Sequence, residues 1–299
     1  SRHRVMVGTE YRRHVRARYH AFTADTVFID RNEPFGVFSL YGQDELQLTT
    51  SLTAVFGLRR DVRSDFSGSI SPRVAVLYHP GRQTTLKLLY GEAFRAPNVY
   101  ELMYEDAATG FKRSSGLRPE QIRTHEAVWE QRVGASVFGS ASLYHYRMRD
   151  LIDTRVDPAD SLLQFGNVAL ATSAGATLAL NARFPGGSHA YFSYAYQLSR
   201  DGSTRQSLTN SPLHIAKAGA SAPFGAIALA SAELRYESAR RTVQGGTAGA
   251  HLWTGLHLLV GRGHVRRRAD GGLLRNTDLS VTVANVLDAR FGTPGGFEH

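Results

Sequence analysis

The sequence predicts an all-β chain that forms a large part of an antiparallel transmembrane β-barrel, and three observations predict it. Apolar and polar residues alternate with period two in segment after segment. No stretch approaches the roughly 18–20 uncharged apolar residues that a membrane helix needs. Connections between the alternating segments switch between tight turns and long loops, the asymmetry of outer-membrane barrels.

The alternation is clearest from Ala190 to Leu198. There Ala190, Phe192, Tyr194, Tyr196 and Leu198 share one face, and Tyr191, Ser193, Ala195 and Gln197 share the other. Leu279, Val281 and Val283 likewise oppose Ser280, Thr282 and Ala284, and Leu252, Thr254, Leu256, Leu258 and Val260 form a less regular series. Comparable stretches place strands at Arg4–Tyr19, Val37–Leu48, Thr53–Arg63, Ile70–Tyr78, Thr85–Phe94, Ile122–Arg132 and Ser136–Arg149. Others follow at Ala174–Phe184, Ser188–Leu198, Leu213–Pro223, Ile227–Glu237, His251–Arg262 and Asp278–Leu287. Most are ~9–15 residues, longer than the usual strand of a soluble sheet and suited to a tilted crossing of hydrocarbon. His79-Pro80-Gly81-Arg82 and Pro185-Gly186-Gly187 carry turn chemistry. Ala96–Gln121, Asp153–Gly166, Ser199–Ser211 and Gly263–Asn276 read as long loops, and Asn98–Tyr104 as one short helical turn within the first of them.

Composition agrees with a barrel. The chain is 42% hydrophobic, yet its mean hydropathy is −0.26, as expected where alternation hides the lipid-facing residues. Its 13 Tyr and 15 Phe against 2 Trp suit rings at a lipid–water boundary. Cysteine is absent, which removes disulfides, thiolate metal sites and cysteine nucleophiles. The net charge of +9 comes mostly from arginines spread along the chain, with Lys87, Lys112 and Lys217 the only lysines. The one dense basic run, Arg266-Arg267-Arg268, sits among glycines. With no basic helix or stacking platform, nucleic acid is not the expected partner. A solvated loop or lumen surface, lipopolysaccharide phosphates being one thing it could meet, is the better reading.

Catalytic patterns are weak. No His-Glu-x-x-His pairing is present, and Gly68-Ser69-Ile70-Ser71-Pro72 lacks the last glycine of a nucleophile elbow. The chain is expected not to be an enzyme, although the sequence leaves open a barrel hydrolase with Ser and His near its rim. Glu92, Glu101, Glu120, Glu126, Glu130 and Glu233 stand in or beside strands, and should point into the lumen or sit near the rims, because a charge facing lipid is costly.

The stretch Gly57–Asp106 carries a specific likeness. Gly57, Leu58, Arg59 and Asp61, then Pro72 and Arg73, then Tyr90, Gly91, Ala93, Phe94, Arg95, Ala96, Pro97, Glu101 and Leu102 fall in the order of a "G-L-R-x-D … S-P-R-x-A … Y-G-x-A-F-R-A-P-x-x-x-E-L" signature. That signature resembles the mid-barrel region of TonB-dependent outer-membrane receptors. Tyr41-Gly42-Gln43-Asp44-Glu45, Leu117-Arg118-Pro119-Glu120, Thr124-His125-Glu126 with Trp129-Glu130, Asn210-Ser211-Pro212, and Asn285-Val286-Leu287-Asp288 with Phe291 resemble further family motifs in order. Val128 stands where the family has glycine, and Thr177 where many members have Glu. Nothing matches the family's N-terminal plug with its TonB box. The chain stops at Phe297-Glu298-His299 rather than at a terminal aromatic residue, and Ser1 reads as a cut.

The resemblance implies a fragment of a larger barrel of about 22 strands, set in the bacterial outer membrane, with residues 1–299 forming part of the barrel and the plug and final strand lying beyond them. It implies active uptake of a metal chelate, most often a ferric siderophore, with cobalamin, haem and oligosaccharides as rarer ligands. The absence of His from Ala96–Pro119 lowers haem. The implied partners are the chain's own plug, the TonB–ExbB–ExbD complex and lipopolysaccharide; no cofactor is implied. In that scheme Glu92 and Glu126 face plug arginines as exchangeable charge pairs, Arg95, Ala96 and Pro97 shape the start of the long loop, and Glu101 orders it. A passive porin is the competing class.

Overall fold

Residues that alternate in polarity and favour extended backbone form an almost all-strand chain in the computed structural model, which describes residues 2–25, 27–64, 66–114, 116–225, 227–242, 245–261, 278–290 and 292. In chain order the strands are β1 (His3–His14), β2 (Arg18–Phe22), β3 (Val27–Asn32), β4 (Phe35–Gln47), β5 (Leu52–Arg63), β6 (Phe66–Gly81), β7 (Thr84–Arg95), β8 (Glu120–Val133) and β9 (Val137–Val156). They continue with β10 (Leu163–Arg183), β11 (His189–Asp201), β12 (His214–Phe224), β13 (Ala228–Glu237), β14 (Arg240–Arg241), β15 (Thr247–Ala248), β16 (His251–Val260) and β17 (Leu279–Ala284). One short helix, α1 (Val99–Met103), lies between β7 and β8.

Thirteen strands form one antiparallel meander in the order β1-β4-β5-β6-β7-β8-β9-β10-β11-β12-β13-β16-β17, while β2–β3 and β14–β15 are separate hairpins within its connections. Within the meander each strand pairs with the ones before and after it in that order, so backbone donors and acceptors are satisfied across the sheet, as a hydrocarbon environment demands. Among the described residues β1 and β17 have only one neighbour each, and the sheet is a partial barrel.

Directly paired residues share a face, so the registers extend the alternation across the sheet. One row runs Leu86–Trp129–Ala141–Leu178–Tyr194–Ala216–Tyr236–Leu252. A row on the opposite face runs Thr85–Glu130–Ser140–Ala179–Ser193–Lys217–Arg235. Large apolar side chains stand on the outside of the sheet, Leu88 at 61% and Leu143 at 65% exposure, while few apolar residues are buried. A water-soluble sandwich inverts this arrangement; here the apolar face suits acyl chains and the polar face a wet interior. Gly175 sits where a Cβ would lie 2.3 Å from the Tyr196 carbonyl oxygen and 2.5 Å from the Tyr144 hydroxyl, so only glycine admits this ring against the polar face.

The thirteen expected strands coincide with the thirteen of the meander, with three differences. Arg4–Tyr19 is not one strand: β1 stops at His14, and Arg18 grips Asp30 at 3.0 and 3.2 Å to close the β2–β3 hairpin. The segment Asp153–Gly166 is mostly paired ribbon, because β9 runs to Val156 and β10 starts at Leu163. Cross-strand pairing carries both strands into the expected loop and leaves residues 157–162 as the turn. Finally, the alternating strand direction puts the ends of β16 and β17 joined by Gly263–Asn276 at the short-turn end. That segment, the Arg266–Arg268 run within it, Phe291 and Phe297–His299 lie outside the described residues.

The remaining connections keep the asymmetry. Residues 48–51, 82–83, 134–136 and 184–188 turn tightly at one end, where a short connection also joins β12 to β13, with Gly186 and Gly187 at φ +95° and +92°. Residues 15–34, 96–119, 202–213 and 238–250 are long connections at the other, where only 64–65 and 157–162 are brief.

The face assignment predicts unequal costs for one substitution. Leu143→Arg on the apolar face should destabilise the membrane-inserted barrel by about 2–4 kcal/mol. Ser140→Arg, opposite Glu130 on the polar face, should be nearly neutral. Unfolding of the full-length protein from lipid vesicles checks this, and equal costs would contradict the assignment.

Candidate functional site at the long-loop end and on the polar wall

The largest connection that the sequence marked, residues 96–119, is held at its root by one guanidinium. Strand β7 ends at Arg95, whose Nη1 and Nη2 donate to the two Glu101 carboxylate oxygens at 3.0 and 2.8 Å. Its Nε donates to Glu120 at 2.6 Å, at the start of β8. The fork geometry of arginine suits this double grip, and a single ammonium would not reproduce it. Glu101 in turn completes a capping box on α1: Asn98 Oδ1 accepts from the Glu101 backbone N–H at 2.8 Å, and Glu101 Oε2 accepts from the Asn98 N–H at 2.8 Å. The Glu120 carboxylate also accepts the Ile152 N–H at 2.8 Å, which ties the clamp to β9. Ala96 and the buried Pro97 lead from the clamp into the helix. The structure therefore brings Arg95, Ala96, Pro97 and Glu101 together.

Further along, the connection docks on the tip of the β9–β10 ribbon. The Lys112 ammonium donates to Asp157 at 2.6 Å and to Asp160 at 2.5 Å, and Gln164 also donates to Asp157 at 3.1 Å. These hydrogen bonds hold the Asp157 and Asp160 carboxyls below the usual carboxylate value and push the Lys112 ammonium up. Backbone bonds from Lys112 to Leu163 and from Leu163 to Gly110, at 2.8 and 2.9 Å, add a short bridge. Beneath it Phe111 and Phe165 pack with centroids 5.1 Å apart, flanked by Tyr104 on Phe111 and Tyr100 on Phe165. Burial raises the Tyr104 hydroxyl above its ordinary pKa, with Tyr100 and Asp106 adding to the effect. The sequence reading missed Lys112, Asp157, Asp160 and this aromatic cluster. The only local signal was the scarcity of lysine, and the contacts span 45 and 48 residues.

The polar wall carries charges that are mostly paired within the sheet. Arg59 donates to Asp61 at 2.9 Å, to Glu10 at 3.2 Å and to Ser39 at 2.8 Å, and Ser39 donates to Asp61 at 2.5 Å. Lys87 meets Glu130 at 2.5 Å. Glu126 lies on the same wall, between Leu89 and Tyr144 in the register, and makes no hydrogen bond or ion pair among the described residues. Glu233 is on that wall too, within 3.4 Å of the Tyr191 hydroxyl and 3.9 Å of Arg235. No group of three or more His, Asp or Glu among the described residues is arranged to hold a metal ion.

Glu92 is a correction. It alternates in phase with Leu86, Leu88 and Tyr90 and so lies on the apolar-banded face, not on the wall of Glu126. It stands above the band at its long-loop end, where it accepts from Tyr90 and pairs with Arg123 at 2.8 Å. A carboxylate tolerates this face because it has left hydrocarbon depth and has a cation beside it.

The clamp predicts the effect of its removal. Arg95→Ala should leave Glu101 and Glu120 without their shared partner and reduce the local stability of residues 96–119 by about 1–3 kcal/mol, with Arg95→Lys restoring only part. Hydrogen exchange over these residues in the full-length protein checks this; unchanged protection would contradict it.

The comparisons with known proteins accord with this geometry. The family profile described as "TonB dependent receptor-like, beta-barrel" matches residues 2–279. No curated protein sequence matches the chain. Among solved structures, the siderophore receptor PirA from Acinetobacter baumannii superposes with a TM-score of 0.74 at 15% identity, covering 96% of this chain and 48% of that one. A variant of the ferric enterobactin receptor PfeA from Pseudomonas aeruginosa gives 0.72 at 16%, covering 87% and 40%. The copper transporter OprC gives 0.72 at 18%, covering 98% and 50%. The chain thus spans half or less of these structures, and at such identities they establish the fold alone. With the profile running through nearly every strand of the meander, the chain belongs to the TonB-dependent receptor β-barrel family.

Proposed function

We propose that the chain is part of an outer-membrane receptor that imports a metal chelate with energy supplied from the inner membrane, and that a ferric siderophore is the ligand class. The observation that carries this reading is Glu126, a half-buried carboxylate on the polar wall without an ionic partner among the described residues where Glu10, Asp61 and Glu130 all have theirs. A charge turned into a wet interior and left unpaired is available to a cation carried by another body. In the proposed mechanism that body is the protein's own plug. The plug blocks the lumen until the TonB–ExbB–ExbD complex pulls on it, and exchange of the Glu126 pair lets it move. The docked loop of residues 96–119 forms part of the outer capture surface, and no bond of the cargo is broken. Structural neighbours that are siderophore receptors and a copper transporter support the ligand class.

Uptake by the full-length protein in cells tests the reading. Accumulation of a radiolabelled ferric siderophore should fall to background when the proton gradient is collapsed, and Glu126→Gln should slow accumulation while surface binding of the chelate stays unchanged. Undiminished uptake without the gradient would overturn the energised reading in favour of a passive channel.

A further inference from the structure

Two histidines stand side by side on the apolar-banded face. His125 of β8 and His145 of β9 are directly opposed in the register, and their ring centroids lie 6.3 Å apart. Both are exposed. Tyr90 of β7 is the next residue along the same row, with its ring 5.1 Å from His125, and Ala174 of β10 follows His145 on the other side.

The three rings line one hollow of about 520 Å³, whose other walls on this face are Val74, Val76, Leu88, Ala127 and Leu143. Glu126 and Tyr144 border it as well, but their side chains stand on the opposite face of the sheet. The Tyr90 hydroxyl is already engaged, donating to Glu92. Neither imidazole has a hydrogen bond or ion pair among the described residues. Ring nitrogens set against apolar walls and left without partners favour a ligand that takes both rings at once.

A metal ion has the right span. Imidazole nitrogens bind such ions at about 2 Å, which puts the centres of two rings on one ion about 4.5–6.5 Å apart according to the angle between them. The observed 6.3 Å is at the wide end of that range, so a small turn of either ring brings both onto one ion. Imidazole suits copper, zinc and nickel, and divalent copper binds such a pair the most tightly. Charged neighbours set the limits. On β7 Glu92 pairs with Arg123 of β8, and on β9 Arg147 is directly opposite Arg123, while Thr172 and Ala174 on β10 carry no charge. The charged row stands about 7 Å nearer the loops along the strands. Glu92 offsets Arg123, which leaves Arg147 to oppose a divalent ion and to bound its affinity.

We propose that His125 and His145 form a two-imidazole site for a divalent transition-metal ion, copper foremost, on the outward surface of the barrel wall. Each ring gives one nitrogen, water fills the remaining positions, and the ion ties β8 to β9 at the long-loop edge of the apolar band. Tyr90 stays with Glu92 and is not a ligand. The site faces away from Glu126, so the ion it holds is not the cargo, and it stands whether or not the import reading does.

The test uses the full-length protein, free of any added histidine tag, in phosphatidylcholine nanodiscs titrated with cupric chloride. Pulsed electron paramagnetic resonance should show a copper centre with two imidazole nitrogens. His125→Gln or His145→Gln alone should remove that signature and weaken binding at this centre at least about tenfold, the lower end of what losing even an outer-shell partner costs a metal site. The double variant should be little worse than either single one, because a lone imidazole holds the ion poorly. Tyr90→Phe should leave the signature unchanged, and acid should release the ion, since each imidazole must be unprotonated to bind. A two-imidazole centre missing from the unaltered protein would overturn the proposal whatever the variants do. A centre that persists in either single variant would overturn it in favour of an adventitious ion only, and so would losses from the two substitutions that simply add. Loss of the signature in Tyr90→Phe would overturn the two-ligand assignment.

Discussion

Backbone hydrogen bonding in a medium without water is the constraint on which everything else in this chain depends. A strand that crosses hydrocarbon must pair on both sides, and the unbroken ladder from β1 to β17 does this for all but the two outermost strands of the described residues. Because each register is antiparallel and nearly free of slips, the side-chain alternation of one strand is locked to that of the next. A single period-two pattern thereby becomes two continuous surfaces. One is greasy and bare, the other polar and internally paired.

Charges are distributed according to those surfaces. On the polar wall the Arg59 network and the Lys87–Glu130 pair are complete in themselves and stiffen the sheet. Among the carboxylates of that wall Glu126 is the one without a hydrogen bond or ion pair among the described residues, and the import reading gives it a use. At the rim the Arg95 clamp and the Lys112 contacts convert a long connection into a docked body, using ion pairs in the one region where water still competes and geometry must supply the selectivity. On the apolar face, cations appear only after a row of rings has marked the end of hydrocarbon depth. The same alternation thus serves solvation in three media: acyl chains, headgroups and the wet interior.

Much of this was legible from residues alone. The series Ala190 to Leu198 announced its two faces correctly, and the glycine and proline turns fixed the strand count because short turns act locally. The motif from Tyr90 to Glu101 located the clamp, since Arg95, Asn98 and Glu101 are neighbours in sequence. What failed did so for two reasons. Contacts such as Lys112 with Asp157 join segments that no local pattern relates. Glu92 was assigned to the plug-facing wall through the family scheme, although its phase with Leu86, Leu88 and Tyr90 already put it on the other face, near the rim that its charge also allowed. Parity was the better guide than that scheme, because depth along the strand, and not the face alone, decides whether a charge meets lipid.

Strand β8 offers the most direct test of the two-surface claim, helped by a sequence that contains no cysteine. Single cysteines placed in turn from His125 to Glu130 in the full-length protein, spin-labelled and reconstituted in lipid, report contact with oxygen dissolved in the acyl chains. The account predicts strong relaxation at Ala127 and Trp129, intermediate relaxation at His125 where the acyl chains end, and weak relaxation at Glu126, Val128 and Glu130. Uniform relaxation along the strand, or the opposite phase, would contradict it.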